Sequence, residues 1–238
     1  LHGGNCPQFS PPQQARMQTH SRFFFSPVLS KRAHPIYSMP AGNIHPISDK
    51  LIVRTTKEKN LGYRAGVFWF CGLSGSGKST IACSLELSLN ARGIHSVVLD
   101  GDNLRAGVNQ GLSFSEEDRT ENIRRTAEIA KLLVQNGLVV IVSLITPLAR
   151  HRESAAKIIG PPDYHEIFVK ASFDTCKSRD VKGLYAKAEK NEIESFTGKT
   201  STFEEPTDPW LTLDTERQTT DQSAAHLESK VLQVINRK

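Results

Sequence analysis

Apolar runs and helix-period stretches alternate along this chain. Val67–Cys71 (VFWFC), His95–Leu99 (HSVVL), Leu138–Leu144 (LVVIVSL), His165–Ala171 (HEIFVKA) and Trp210–Leu213 (WLTL) are short and rich in β-branched and aromatic residues, so they predict strands. Between and after them, Thr80–Arg92, Ser115–Asn136, Pro147–Ile159, a stretch opened by Ser172 and running through Arg179, and Gln222–Ile235 predict helices. Gly93 and Gly137 stop the first two, and Pro161-Pro162 breaks the chain after the third. In the longest, Ile123, Ala127, Ala130 and Val134 make one apolar stripe, while Arg119 and Asn122 share another face. Ser115 followed by Asp118 resembles a capping box with Asp in place of Glu. A short helix is expected around Ser48–Leu61, ahead of the first strand. From Asp180 to about Pro209 the periodicity dissolves into charged sequence, and so long an irregular segment in a compact domain is expected to be functional, as a lid.

Strands alternating with helices imply an α/β chain: a three-layer α/β/α arrangement around a mainly parallel five-stranded sheet. The chemistry enters where the first strand ends. Gly72-Leu73-Ser74-Gly75-Ser76-Gly77-Lys78-Ser79 fits G-x-x-x-x-G-K-[ST], with Thr80 following, and it sits between a strand and a helix as a phosphate-binding P-loop must. Its glycines let successive backbone N–H groups turn inward to phosphate oxygens, and the helix that follows aims its positive end at the same place. Lys78 is placed to reach the β- and γ-phosphates and Ser79 to ligate Mg²⁺. The motif implies a bound nucleoside triphosphate and, with the alternation, a P-loop nucleotide-kinase fold. Asp100-Gly101-Asp102-Asn103 ends the second strand, where ligands sit in open α/β sheets.

Composition changes this picture only at the N-terminus. Of 238 residues, 38% are hydrophobic and 23% charged, an ordinary proportion for a single domain, and no apolar run is long enough for a membrane helix. The net charge of +5 is uneven: residues 1–48 hold Arg16, Arg22, Lys31 and Arg32 with no acid, and the rest is nearly neutral with 26 basic and 25 acidic residues. That distribution gives no support for a nucleic-acid surface. Residues 1–42, basic, Ser- and Pro-rich and acid-free around Phe23–Phe25, have the profile of an organelle transit peptide, plastid ahead of mitochondrion; a disordered extension, or sequence upstream of a start at Met17 or Met39, is the alternative. Residues 43–238 would then be the catalytic domain, with its lid at about 180–209. Cys6, Cys71, Cys83 and Cys176 show no metal-ligand or C-x-x-C spacing and read as buried or half-buried thiols, and the eight histidines show no zinc pattern.

Several stretches together resemble the adenylylsulfate kinase family: GLSGSGKST (72–80), LDGDNLRAGVN (99–109), LSFSEEDRTENIRR (112–125), SLITP (143–147), RDVKGLY (179–185) and ESFTG (194–198). The P-loop alone would name a superfamily; DGDN-x-R followed by FS-x-x-DR-x-EN-x-RR is far more specific. The resemblance implies ATP- and Mg²⁺-dependent phosphorylation of the ribose 3′-hydroxyl of adenosine 5′-phosphosulfate (APS), giving 3′-phosphoadenylyl sulfate (PAPS) for sulfate assimilation. It further implies that Asp102, Lys78 and Thr146 are catalytic, and that Asp102 also contacts APS and helps hold the metal with Ser79. A helix N-cap role for Asp102 would be compatible with that. Asn103, Arg105, Phe114, Arg119, Asn122, Ile145, Thr146, Lys182, Phe196 and Thr197 would bind APS, the arginines on the phosphosulfate and Phe114 and Phe196 clamping the adenine. Arg179 would join the P-loop in holding ATP. A homodimer and an ATP sulfurylase partner chain are also implied.

Three departures from the family pattern qualify it. Thr146 stands where Ser is usual, which favours direct in-line transfer over a covalent intermediate. Lys199-Thr200-Ser201-Thr202-Phe203-Glu204 replaces the usual Ile-Asp and Pro-Tyr-Glu continuation, which bears on lid closure. Ser96 occupies the position of the redox cysteine of plant members, so no thiol switch is expected. Another small-molecule P-loop kinase, or a non-catalytic nucleotide-binding module, are the competing readings. The arginine-rich motifs oppose the first, and intact Lys78, Ser79 and Asp102 oppose the second.

Overall fold

Hydrophobic burial on both faces of one sheet organises the chain. The computed structural model describes residues 45, 47, 50–190, 192, 196–199 and 201–236. The transit-peptide-like residues 1–42, Cys6 among them, lie outside this set, as do Glu194, Ser195 and Thr200 of the motifs above. Ser48–Lys238 forms a compact unit of its own, and the structure below is that unit.

Five strands, β1 (Val67–Cys71), β2 (Ser96–Asp100), β3 (Val139–Ser143), β4 (Tyr164–Lys170) and β5 (Leu211–Asp214), form one sheet in the order β2-β3-β1-β4-β5, and every pairing is parallel. Eight helices complete the unit among the described residues: α1 (Arg54–Leu61), α2 (Lys78–Ala91), α3 (Gly101–Ala106), α4 (Glu116–Val134), α5 (Ala149–Ile159), α6 (Phe173–Arg179), α7 (Leu184–Glu189) and α8 (Thr220–Ile235). Alternate residues of β1 go to opposite layers, as the two-residue period of a strand requires. Phe68 and Phe70 pack with Ile81, Leu85 and Leu89 of α2 and Leu227, Val231 and Ile235 of α8. Val67 and Trp69 pack with Ile123, Ala127, Ala130 and Val134 of α4 and Ala155 and Ile159 of α5. All five residues of β1 and of β3 are buried, which is why these strands read as continuous apolar runs. Among the described residues no helix is long and apolar enough to cross a membrane.

Several element boundaries move for identifiable reasons. The expected helix at Ser48–Leu61 begins only at Arg54: Val53 is extended, and Leu51, Ile52 and Val53 are exposed. Arg54 then anchors it, donating to both Asp163 oxygens (2.6 and 2.8 Å) and to Glu58 (2.8 Å). The helix expected from Pro147 starts at Ala149, since Thr146 has φ 43° and Leu148 is extended. The closing helix starts at Thr220 rather than Gln222, because Thr219 and Gln222 make a full capping box. Half of the box expected on α4 forms: Ser115 Oγ accepts from Asp118 N, but the Asp118 carboxylate turns to Ser113 N and Oγ instead of Ser115 N. The lid region contains α7, and Asp100–Asn103 leads into α3. Both helices have six residues and bury too few side chains to show a period. Cys83 is exposed on α2, against the expectation of a buried thiol, whereas Cys71 and Cys176 are buried.

Candidate active site

The P-loop follows β1 directly. Gly72, at φ 146°, donates its N–H to Ile145 O (3.2 Å) beyond the end of β3. A Cβ there would lie 2.4 Å from Val169 O of β4, so only glycine lets the loop leave the sheet between its neighbours. Lys78 opens α2 and is buried, its ammonium donating to Gly72 O (3.0 Å) and Leu73 O (2.6 Å). Burial pushes its pKa down to about 8. Ser76 Oγ is buried without a hydrogen-bond partner among the described residues. The loop is braced from outside. Tyr185 of α7 donates to Ser74 O (2.8 Å), Thr215 Oγ1 donates to Ser76 O (3.0 Å), and Arg179 reaches Gly75 O (3.4 Å) and Thr215 O (2.8 Å). Gly75 and Gly77 take positive φ, and Thr80 is exposed in the first turn of α2.

Beside the loop, the carboxyl end of β2 presents oxygen atoms. Ser79 Oγ donates to Asp100 Oδ2 (2.9 Å) and lies 3.2 Å from Ser143 Oγ of β3. The other Asp100 oxygen accepts the Asp102 N–H (3.0 Å), so Asp100, not Asp102, is the N-cap of α3. Asp102 sits in the first turn, exposed, with its carboxylate ion-paired to Lys182 from the segment before α7. Asn103 is exposed beside it.

Arg105 ends α3 and donates to Leu112 O (3.1 Å) and Ser113 O (2.8 Å). Its guanidinium carbon stands 4.5 Å from the centroid of the exposed Phe114 ring, and that of Arg119 stands 5.9 Å from the same ring. Arg119 ties two segments together, donating to Phe114 O (2.9 Å) and to Thr197 Oγ1 (2.8 Å). Burial lowers the pKa of both arginines, and the charge of Arg105 lowers that of Arg119 further. Two cations gathered on one ring suit a multiply charged anion. Asn122 is buried, its Oδ1 accepting from Asn109 Nδ2 (3.0 Å). The two aromatics of the expected adenine clamp differ. Phe114 is 55% exposed, whereas Phe196 is 7% exposed and packs edge-on to Tyr185 in a small cluster with Leu73 and Cys176.

The end of β3 supplies the last wall. Thr146 is 2% exposed, and its hydroxyl accepts from the Trp69 indole N–H (2.9 Å). Its carbonyl accepts from Arg152 Nη1 (3.1 Å), itself buried on α5 and 3.4 Å from the Glu166 carboxylate. A β-branched residue at positive φ is strained, and this pair of bonds holds it there.

The structure thus brings Lys78, Ser79, Asp102, Lys182 and the P-loop to the carboxyl end of the strands, and joins Arg105, Phe114, Arg119 and Thr197 into a second group. Asn109, Trp69 and Arg152 carried no role in the sequence reading, and Asp100 was noted there only as part of the cluster ending the second strand. Asp100 and Asn109 lay inside quoted motifs, so their signal was present. Trp69 and Arg152 act through packing that no spacing reveals.

Residues 64–214 match the family described as adenylylsulphate kinase. An adenylyl-sulfate kinase of Bacteroides fragilis is 50% identical over 195 residues, 82% of this chain and 96% of that protein. One from Prochlorococcus marinus is 44% identical over 181 residues, 76% and 90% of the two chains. Among solved structures, the Mycobacterium tuberculosis APS kinase CysC in complex with AMPPNP and APS is 43% identical with a TM-score of 0.66, over 72% of this chain and 97% of that one.

Proposed function

Because the chain belongs to the adenylylsulfate kinase family of P-loop kinases, we propose that it moves the γ-phosphoryl group of ATP to the ribose 3′-hydroxyl of APS, giving PAPS and ADP. The observation that carries this reading is the pairing of two arginines on Phe114, a site for a nucleotide's charged group, with a P-loop whose lysine is buried and ready. A neutral acceptor, such as a sugar, would not need those charges. The relative solved with AMPPNP and APS supports the same pair of substrates.

Phosphoryl transfer depends on positioning and charge neutralisation more than on covalent chemistry by the protein. In a direct in-line step the bond from the γ-phosphorus to the β–γ bridging oxygen breaks as the bond to the 3′-oxygen forms. The hydroxyl proton passes to the Asp102 carboxylate once Lys182 has exchanged that partner for a phosphate oxygen. Lys78 neutralises charge developing on the β- and γ-oxygens. Arg105 and Arg119 hold the phosphosulfate, which fixes the ribose relative to the P-loop. Ser79 Oγ, Asp100 Oδ2 and Ser143 Oγ form a set of hard oxygen atoms that fits Mg²⁺, and these residues, with Asp102, would hold it directly or through water. Bound there, Mg²⁺ supplies charge neutralisation at the phosphates. The Thr146 hydroxyl, occupied by Trp69 and buried, supports transfer without a phosphorylated intermediate.

The test incubates a chain starting near Asn43 with ATP, Mg²⁺ and APS, with an APS-free tube as control. APS-dependent ADP together with PAPS is expected. ADP formed without APS dependence would reject the acceptor assignment. We also propose that residues 1–42 address the chain to a plastid. Fused to a fluorescent reporter in plant cells, they should direct it there, and a diffuse signal would reject this.

A further inference from the structure

The helix that walls the acceptor side, α5, lacks a cap of its own. Leu148 at its N-cap position makes no side-chain bond, and the exposed N–H of Ala149 is satisfied instead by Glu204 Oε2 at 2.7 Å, 55 residues away in sequence. The Glu204 main-chain N–H donates to Pro147 O at 2.8 Å, the carbonyl that Arg152 also reaches at 3.4 Å. One residue therefore grips both sides of the turn that follows Thr146. The same turn touches the P-loop, through Ile145 O and Gly72 N.

In sequence, Glu204 follows closely on the other wall. Phe196, Thr197, Gly198 and Ser201 belong to one turn, closed by Ser201 N to Phe196 O (3.1 Å) and Gly198 N to Ser201 O (2.7 Å). Thr197 of that turn takes the Arg119 bond. Two residues beyond Ser201, Phe203 stacks on Phe168 of β4 with ring centroids 6.0 Å apart, and Glu204 follows. The carboxylate thus anchors the downstream end of the Thr197 turn to the helix that fixes the Thr146 turn. A charged acceptor at a helix N-terminus combines a charge-assisted hydrogen bond with the helix dipole, so the tie is stronger than a neutral loop contact.

We propose that Glu204 is a positioning residue for the acceptor nucleotide: by capping α5 from outside, its carboxylate holds the Ile145–Pro147 and Phe196–Ser201 turns as one unit. This rests on the reading that those turns face APS. Glu204 acts through Ala149 and Pro147.

The test compares the wild type with E204A, E204Q and E204D. Removing the side-chain acceptor altogether, in E204A, should raise KM for APS about tenfold while KM for ATP stays within about twofold, the loss of one hydrogen bond to Ala149 N expressed on one substrate only. Gln keeps an acceptor of the same reach and should recover most of the affinity; Asp, one methylene shorter, should behave like Ala. Amide hydrogen exchange without substrate supplies a second readout: in E204A, exchange at Ala149 should accelerate while Lys78–Ala91 of α2 keeps its protection. Equal rises in KM for APS and ATP, or no rescue by Gln, would reduce Glu204 to a structural residue. Unchanged exchange at Ala149 would overturn the cap itself. A wild type that lacks APS-dependent turnover would refute the acceptor reading separately, with the exchange experiment still deciding the cap.

Discussion

At the scale of single residues, the site is defined by where charge has been stripped of water. Lys78 is buried against two carbonyls, and its pKa is pushed down to about 8. A triphosphate binds the ammonium form. Below that pH the free protein already carries the proton, and above it binding must take one up. ATP affinity should therefore fall as pH rises beyond about 8, measured by calorimetric titration between pH 7 and 9.5. A flat affinity would mean that another group meets the phosphates. Replacing Lys78 by Ala should reduce kcat by a factor of ~10² or more, the scale of losing one preorganised charge. Arg119 makes a different prediction, because it joins Phe114 to Thr197. Arg119→Ala should raise KM for APS by about tenfold or more and leave KM for ATP nearly unchanged. Equal losses for both nucleotides would make the arginine a structural tie.

At the scale of elements, short pieces are held by specific polar bonds where burial is insufficient. α1 has eight residues, and only Glu58 of it is buried, so packing contributes little. Arg54 ties it to Asp163, which directly precedes β4, and pairs within the helix with Glu58; these carboxylates are 13% and 6% exposed, and that of Glu58 also accepts the Ala65 N–H (2.9 Å). Arg54→Ala would leave two carboxylates close to one another with their cation gone. A loss of about 3 kcal/mol is expected, read from the midpoint shift in urea. A loss near zero would show that α1 is dispensable to the fold. α7 is similar: its docking depends on Tyr185 donating to Ser74 O and on Asp180 accepting the N–H groups of Tyr185 and Ala186 (both 3.0 Å).

At the scale of the whole molecule, the charge of residues 1–48 contrasts with the nearly neutral remainder. The sheet, both helical layers and every site residue named above lie within Ser48–Lys238. A chain shortened to begin at Asn43 should therefore keep the melting temperature and kcat of the full chain, compared by scanning calorimetry and the PAPS assay. A drop in either would assign residues 1–42 a part in the folded enzyme.

Much of this was legible in the sequence because it is local or periodic. The strands of the sheet, the apolar stripe of α4, the Ser172 cap of α6 and the P-loop each depend on neighbours within a few residues, so spacing alone determined them. The arginine-rich motifs likewise pointed, through resemblance, to the residues proposed to hold the acceptor. Only the tertiary structure decided which carboxylate meets Ser79, since Asp100 and Asp102 are two residues apart and differ by the direction in which β2 and α3 point them. It alone decided that Trp69 and Arg152 hold Thr146 at positive φ, and that Glu204 caps a helix 55 residues earlier. Such contacts join chain segments far apart in sequence, and their partners are chosen by the packing of the sheet, which no local pattern records.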